Sequence, residues 1–388
     1  MLPAHAVNAG PGRRRRRILR VAAAGLVTSL VLGACSSRAP VEDQAATGTL
    51  DEPIVITDQR GVTHTFTEPI DSIVTTVIPA PSMITALDQG YDRVKGVNRS
   101  TVARDEGSTF ADMFPQALEN TVVSGPDFVP NVETIIELDP DVVIQWADQG
   151  DHETFIGPIE AAGYPVIGLQ YGTQEDLETW VTMFSTLLGK PERGEQLLGR
   201  MHETIAELKG FAAEQTTSPR TIFLRTAGDG GYNAGMSSRD AYMHSWMTLP
   251  GATNVAADVE YSTQSALNVE QLIGWNPEVI FTSSMTALTP ADVYADPALA
   301  GLDAVKNKRV YAVPSGGFWW DPPSAESHLM MKWAATMLHP ETFSADLRTE
   351  IAQHYEFLYG TTVTDEQIDE LLRFDANADS AGYDVLAR

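Results

Sequence analysis

The sequence predicts an α/β protein of two Rossmann-like lobes joined by one long α-helix, with a cleft between the lobes. Three observations carry that prediction. A thirteen-residue pattern running from Asn131-Val132-Glu133 through Asp139-Pro140-Asp141-Val142-Val143 returns as Asn268-Val269-Glu270 through Asn276-Pro277-Glu278-Val279-Ile280. The offset is a constant 137 residues, about the size of one domain, so the chain has two similar halves. Between the copies, Leu197, Leu198, Met201, Ile205 and Leu208 recur at helical spacing from Pro191 to about Gln215, which amounts to roughly 37 Å of helix. On both sides of that stretch short apolar runs alternate with helical segments, the signature of a parallel, layered sheet.

At the N-terminus, arginines at 13–17 and Arg20 precede an apolar stretch over 21–32 and then Leu32-Gly33-Ala34-Cys35. A charged region, a short apolar region and a small-residue cleavage site make residues 1–34 a signal peptide. The apolar part is shorter than the roughly 20 residues that a bilayer span needs. Cys35, the single cysteine, stands in a sequence that resembles the bacterial lipobox, which implies lipidation there and an anchor in the membrane. Arg15-Arg16-Arg17-Ile18-Leu19-Arg20 resembles a twin-arginine export signal, so that route and the general one both stay open. Residues 35–52 are small and polar without periodicity, a lipid-anchored flexible tether.

The N-terminal lobe is predicted over 53–190. Apolar runs at 54–57 and 63–67 flank Asp58-Gln59-Arg60-Gly61, a hairpin signature. A strand at 73–77, a helix from Pro81 to Gly90 and a strand at 94–97 follow. In each copy of the repeat, Asn caps a helix by accepting a backbone N–H bond, Pro ends it, and an apolar run continues as a buried strand. The strand at 164–169 closes the lobe. The connecting helix takes 191–217, opened by Pro191 where a missing N–H costs nothing and closed before Ser218-Pro219. The C-terminal lobe, 218–373, begins with a strand at 221–224 and holds the second repeat copy, a strand at 309–313, a helix at about 324–338 and two helices near 344–359 and 364–373. Residues 374–388 are expected to fray.

Composition narrows the function. The formal charge of −26 becomes −32 once the six arginines of residues 1–34 are removed, so a nucleic-acid partner is excluded for want of a basic face. With one cysteine no disulfide forms within the chain, and stability rests on packing. There is no Gly-x-Ser-x-Gly elbow, P-loop or dinucleotide fingerprint, and Gly228-Asp229-Gly230-Gly231 lacks the Lys and spacing for phosphate. The chain reads as no enzyme, a surface hydrolase built on unrecognised Asp or Glu pairs being the alternative. Histidines are scattered without metal-ligand spacing, so no metal site is predicted, although His152 and His244 lie on loops that would suit heme axial ligands. Asp375-Ala376-Asn377-Ala378-Asp379 imitates an EF-hand loop, but Ser380 and Leu386 stand where Gly and Glu are required.

The two Asn-Val-Glu repeats, Leu188-Gly189-Lys190-Pro191-Glu192-Arg193, Gly251-Ala252-Thr253-Asn254-Val255-Ala256 and Lys308-Arg309-Val310-Tyr311-Ala312-Val313 together resemble the substrate-binding lipoproteins of ABC importers. The class in question has a single connecting helix and serves iron–siderophore, heme and cobalamin uptake. The resemblance runs from Cys35 to about Leu372. It implies an extracytoplasmic, membrane-anchored monomer whose cleft captures a ferric siderophore, with heme or cobalamin as alternatives and an oxyanion such as molybdate or a bare metal ion behind them. No cofactor is implied apart from that cargo. The implied partners are an ABC permease dimer with its ATPase, docked through one carboxylate per lobe, Glu133 and Glu270. By themselves these residues offer only a carboxylate at a helix N-terminus, worth about 0.3–1 kcal/mol.

Ligand contacts are expected at the carboxyl ends of strands, where open α/β sheets place their crevices. Trp146, Tyr171 and Arg99 stand there in the first lobe, Arg225 and Tyr232 in the second. The planar fork of Arg225 suits carboxylate or hydroxamate oxygens. Gly316-Gly317-Phe318-Trp319-Trp320-Asp321-Pro322-Pro323-Ser324 is the densest aromatic cluster. Adjacent tryptophans cannot both point into one core, so at least one of Trp319 and Trp320 is expected to stack on ligand. Asp321 or Ser324 is expected to cap the following helix. Pro79-Ala80-Pro81-Ser82-Met83 departs from the Ser/Thr-Glu start usual in the class, which leaves contacts there open.

Overall fold

The computed structural model describes residues 50, 52–228, 230–263 and 266–387. The expected signal peptide, Cys35 and nearly all of the expected tether lie outside the described residues. The chain opens with a hairpin of β1 (Ile54–Thr57) and β2 (Thr63–Phe66), paired antiparallel. Its turn uses Gly61 at φ +82°, a conformation glycine adopts without strain. Buried Asp58 accepts N–H bonds from Arg60, Val62 and Gly168, which holds the hairpin against the next sheet.

That sheet contains β3 (Ile73–Thr75), β4 (Val94–Asn98), β5 (Thr121–Ser124), β6 (Val142–Trp146) and β7 (Val166–Leu169). The order is β5-β4-β3-β6-β7 and every pair is parallel. Its strands are continuously apolar because both faces are covered: Val142 and Ile144 enter one core, Val143 another. A second sheet contains β8 (Arg220–Thr226), β9 (Tyr232–Asn233), β10 (Thr253–Asn254), β11 (Val279–Thr282) and β12 (Val310–Ala312). Here the parallel order is β10-β8-β11-β12, and β9 pairs antiparallel with the carboxyl end of β8.

The repeat is visible in three dimensions. Asn131 caps the helix Val132–Leu138 by accepting from Thr134 N, and Asn268 caps Val269–Trp275 by accepting from Glu270 N. Both helices end on a left-handed non-glycine residue, Asp139 at φ 44° and Asn276 at φ 42°.

The helix Pro191–Glu214 links the two sheets and buries Leu197, Met201 and Leu208. A second tie reinforces it. Arg193, near its start, donates to the carbonyl of Ala86 in the first-lobe helix Ala80–Asp88 at 2.7 Å and to that of Leu358 in the helix Leu347–Tyr359 at 2.9 Å. One hydrophobic core therefore runs from Ile73 of the first sheet to Phe281 and Tyr311 of the second.

Residues 374–387 do not fray, contrary to the sequence expectation. Asn377 brackets Ala312 on the outer edge of β12, accepting its N–H at 2.7 Å and donating to its carbonyl at 3.0 Å. Ser380 Oγ donates to the Val310 carbonyl at 2.6 Å, and Tyr383 and Leu386 are buried. The segment lacks periodicity, yet it is held because β12 would otherwise present an unpaired sheet edge. The helix expected at 324–338 begins at Ser327 and has no side-chain cap. Ser324 Oγ instead accepts the Glu326 N–H, and Asp321 is engaged elsewhere.

Candidate functional site

Both sheets reverse their direction of growth in the middle, between β3 and β6 in the first and around β8 in the second. At such a switch the outgoing loops diverge and leave a crevice at the carboxyl ends of the strands. The two crevices share one cavity of about 240 Å³. From the first lobe it is lined by Ile78 and Pro79 after β3, Phe128 after β5, Trp146 and Gln149 at the end of β6, and Tyr171 after β7. From the second come Arg225 in β8, Met236, Tyr261, Thr263, Met285 after β11, and Phe318, Trp319 and Pro322 after β12.

The first-lobe wall is an aromatic box. Trp146 meets Phe128 and Tyr171 edge-on, with ring centroids 6.3 and 5.8 Å apart, and tilts against Trp180 at 5.6 Å. Trp180 is fixed by donating to Gln59 Oε1 and the Gln170 carbonyl, each at 3.0 Å. Trp146 Nε1 is buried and has no hydrogen-bond partner. Phe128 sits at φ 62°, unusual for an aromatic residue, where Gln145 Nε2 donates to its carbonyl at 3.0 Å. Burial pushes the Tyr171 hydroxyl far above the ordinary tyrosine value.

Opposite stands Arg225, among the described residues the only charged one lining the cavity. Its Nε is buried without a partner, and no ion pair or hydrogen bond engages its guanidinium among the described residues. Asp321 lies within electrostatic reach, but its carboxylate is committed to Ser283 Oγ at 2.7 Å and to Ser284 Oγ. Burial raises the Asp321 carboxyl, while the two serines and the Arg225 charge pull it back.

The Phe318–Trp319 wall is supported from behind. Glu326, fully buried, accepts from Trp320 Nε1 at 2.5 Å, Gly317 N and Tyr359 Oη at 2.8 Å, and Tyr355 Oη at 3.1 Å. Burial raises this carboxyl, and its donors oppose the shift. Arg104 of the first-lobe helix Arg99–Asp105 donates to the Gly316 carbonyl at 3.1 Å and lies over the Phe318 ring at 5.3 Å. The wall is thus anchored in both lobes.

Of the expected ligand contacts, the structure brings together Trp146, Tyr171, Arg225 and Trp319. Three others are corrected. Trp320 is fully buried on Glu326, which leaves only its neighbour facing the cavity. Tyr232 packs in a separate core and donates to Asp296 Oδ2 at 2.7 Å, a partner 64 residues away. Arg99 is exposed on the first turn of its helix and is not among the lining residues. His152 and His244 are also outside the cavity: His152 faces Glu160, and His244 Nδ1 lies 2.9 Å from Asn254 Nδ2. Sequence reading missed Phe128, Met236, Tyr261, Met285 and Phe318. The strand-end rule could have found Met285 and Ile78, whereas nothing local marks Met236 or Tyr261. Glu133 and Glu270 are exposed on the first turns of the two repeat helices. Among the described residues no group of three or more His, Cys, Asp or Glu side chains converges as a metal site, and no helix is long and apolar enough to cross a membrane.

Residues 84–316 match a family model described as periplasmic binding protein. The molybdate-binding protein MolA of Haemophilus influenzae is 22% identical over 79% of this chain and 91% of its own length. The iron-uptake system-binding protein of Bacillus subtilis is 24% identical over 76% of this chain and 92% of its own. Among solved structures, a periplasmic solute binding protein from Veillonella parvula aligns with a TM-score of 0.72 and 27% identity, covering 84% of this chain and 99% of that one.

Proposed function

The chain belongs to the periplasmic binding protein family, and from that premise we propose that it is the membrane-anchored solute receptor of an ABC importer. It takes a ferric siderophore in the interlobe cavity and hands it to a permease dimer with its ATPase. One observation carries the choice of cargo: among the described residues a single unpartnered cation, Arg225, faces a cavity whose other walls are aromatic, aliphatic, methionine, proline or neutral polar. Such a site favours a bulky, largely apolar ligand with one patch of negative oxygens, as a hydroxamate or catecholate complex presents.

The lining argues against a small oxyanion, because beside the single cation Arg225 the walls of the cavity are mostly apolar and offer such an anion few donors. A bare metal ion is disfavoured by the donors, since among the described residues no His, Cys, Asp or Glu lines the cavity. Iron already wrapped by its chelator needs none of them. Lipidation at Cys35 and docking through Glu133 and Glu270 belong to the same proposal.

The test is a titration of purified protein with ferric hydroxamates, ferric catecholates, heme, cobalamin and molybdate, followed by tryptophan fluorescence. Stoichiometric quenching by a ferric chelate that is recovered unchanged, diminished in Trp319→Phe, supports the proposal. Saturable binding of molybdate with no response to any chelate refutes it, and chemical turnover of the ligand refutes the receptor reading altogether.

A further inference from the structure

The two repeat helices break the same rule at the same place. Each buries its fourth residue completely, Ile135 in one and Leu272 in the other, at 0% exposure. The next residue, on the solvent face, is isoleucine in both: Ile136 is 49% exposed and Ile273 47%. Single exposed apolar residues are common and need no explanation. A matched pair, 137 residues apart and on helices with the same caps and the same left-handed ends, is different. A local rule broken twice in the same register marks a functional surface.

Helix geometry places each isoleucine beside a carboxylate. Ile136 lies three residues after Glu133, and Ile273 three after Glu270, so each pair shares one face. Topology places both pairs toward the cleft. The strands before and after each repeat helix belong to one parallel sheet, so the helix runs antiparallel to them and its N-terminus lies at their carboxyl edge. That is the edge where the ligand cavity opens.

We infer that Ile136 and Ile273 are paired apolar anchors of one docking face, and that its occupant is a two-fold-symmetric protein surface offering the same apolar socket with a basic rim twice. The inference rests on the reading of Glu133 and Glu270 as docking residues. It adds that the carboxylates orient the encounter while the isoleucines supply the desolvated contact. A partner with two identical sockets suits a monomer that presents two equivalent patches, because the second contact forms at high effective concentration. The acidic neighbours speak for a basic partner, and they would repel an anionic lipid surface.

The experiment uses full-length protein and its cognate permease–ATPase complex in nanodiscs. Ile136→Ser and Ile273→Ser are expected to weaken docking about tenfold each, and the double variant more than either. Chelate titration and thermal melting should stay at wild-type values, because both side chains are exposed. Wild-type docking by the double variant overturns the inference and leaves the receptor reading intact. Isoleucine-dependent dimerisation in sedimentation, or isoleucine-dependent binding to protein-free phosphatidylglycerol vesicles, also overturns it by naming another occupant. Failure of wild-type protein to dock at all overturns both readings.

Discussion

Mild acid should destabilise this protein through one buried pair of histidines. His328, on the helix Ser327–Leu338, and His354, on Leu347–Tyr359, are 5% and 1% exposed, and His328 Nε2 lies 3.1 Å from His354 Nδ1. Their outer nitrogens are buried without an aligned hydrogen bond. Burial, assisted by the charges of Arg200 and Lys332, pushes His328 down to about 3. Burial, then repulsion from His328 and Arg200, holds His354 well below the ordinary value. Both rings stay neutral in the folded protein, whereas the unfolded chain protonates each near pH 6.5. The folded state is the weaker proton binder, so this contribution to stability is complete above pH 6.5 and is lost as pH falls through the window from 6.5 toward 3. Between pH 7.5 and 5.5 the loss is about 1.4 kcal/mol per ring, or about 2.7 kcal/mol for the pair. Urea unfolding of wild type and of His328→Leu/His354→Leu at both pH values measures it. The wild type should lose about 2.7 kcal/mol more than the variant. Equal pH dependence in the two proteins refutes the reasoning.

Three other outcomes follow from the same structure. Arg225→Gln should weaken chelate binding about thirtyfold or more, equivalent to about 2 kcal/mol, yet shift the melting temperature little, because the guanidinium makes no ion pair or hydrogen bond among the described residues and the Asp321 carboxylate it faces keeps both serine donors. Isothermal titration and differential scanning calorimetry separate the two effects. Gly317→Ala places a Cβ 2.0 Å from Tyr359 Oη and 2.4 Å from Glu326 Oε1; it should cost about 1–3 kcal/mol and also blunt the Trp319 fluorescence response to ligand. Removal of residues 374–388 strips the outer edge of β12, and higher oligomers should appear in size-exclusion chromatography.

The fold was largely legible because its signals are local and repeated. Asn131 and Asn268 cap as their sequences say, and Pro191 opens the connecting helix. The site was legible wherever a residue's position on a strand end decided its direction, as with Trp146 and Arg225. It was opaque where a distant partner decided. Trp320 turns inward because Glu326, Tyr355 and Tyr359 need its indole N–H in their network, and no spacing within the cluster distinguishes it from Trp319. Tyr232 is drawn away by Asp296, and the C-terminal segment is ordered by an edge strand that precedes it by more than 60 residues. Such pairings are long-range choices, made by which buried polar group lacks a partner.

The tie between the helices Ala80–Asp88 and Leu347–Tyr359 sets a timetable for biosynthesis. Gln89 donates to the carbonyl of Phe357, 268 residues later in the chain. At a synthesis rate of about 5–20 residues per second, that partner emerges roughly 13–54 s after the first helix. For the part of that interval after β7 has emerged at Leu169, the first lobe has all its strands but not the helix that covers part of its apolar surface. The nascent first lobe is therefore a natural client for a chaperone, and a pause in late translation prolongs its exposure without altering a single contact of the finished protein.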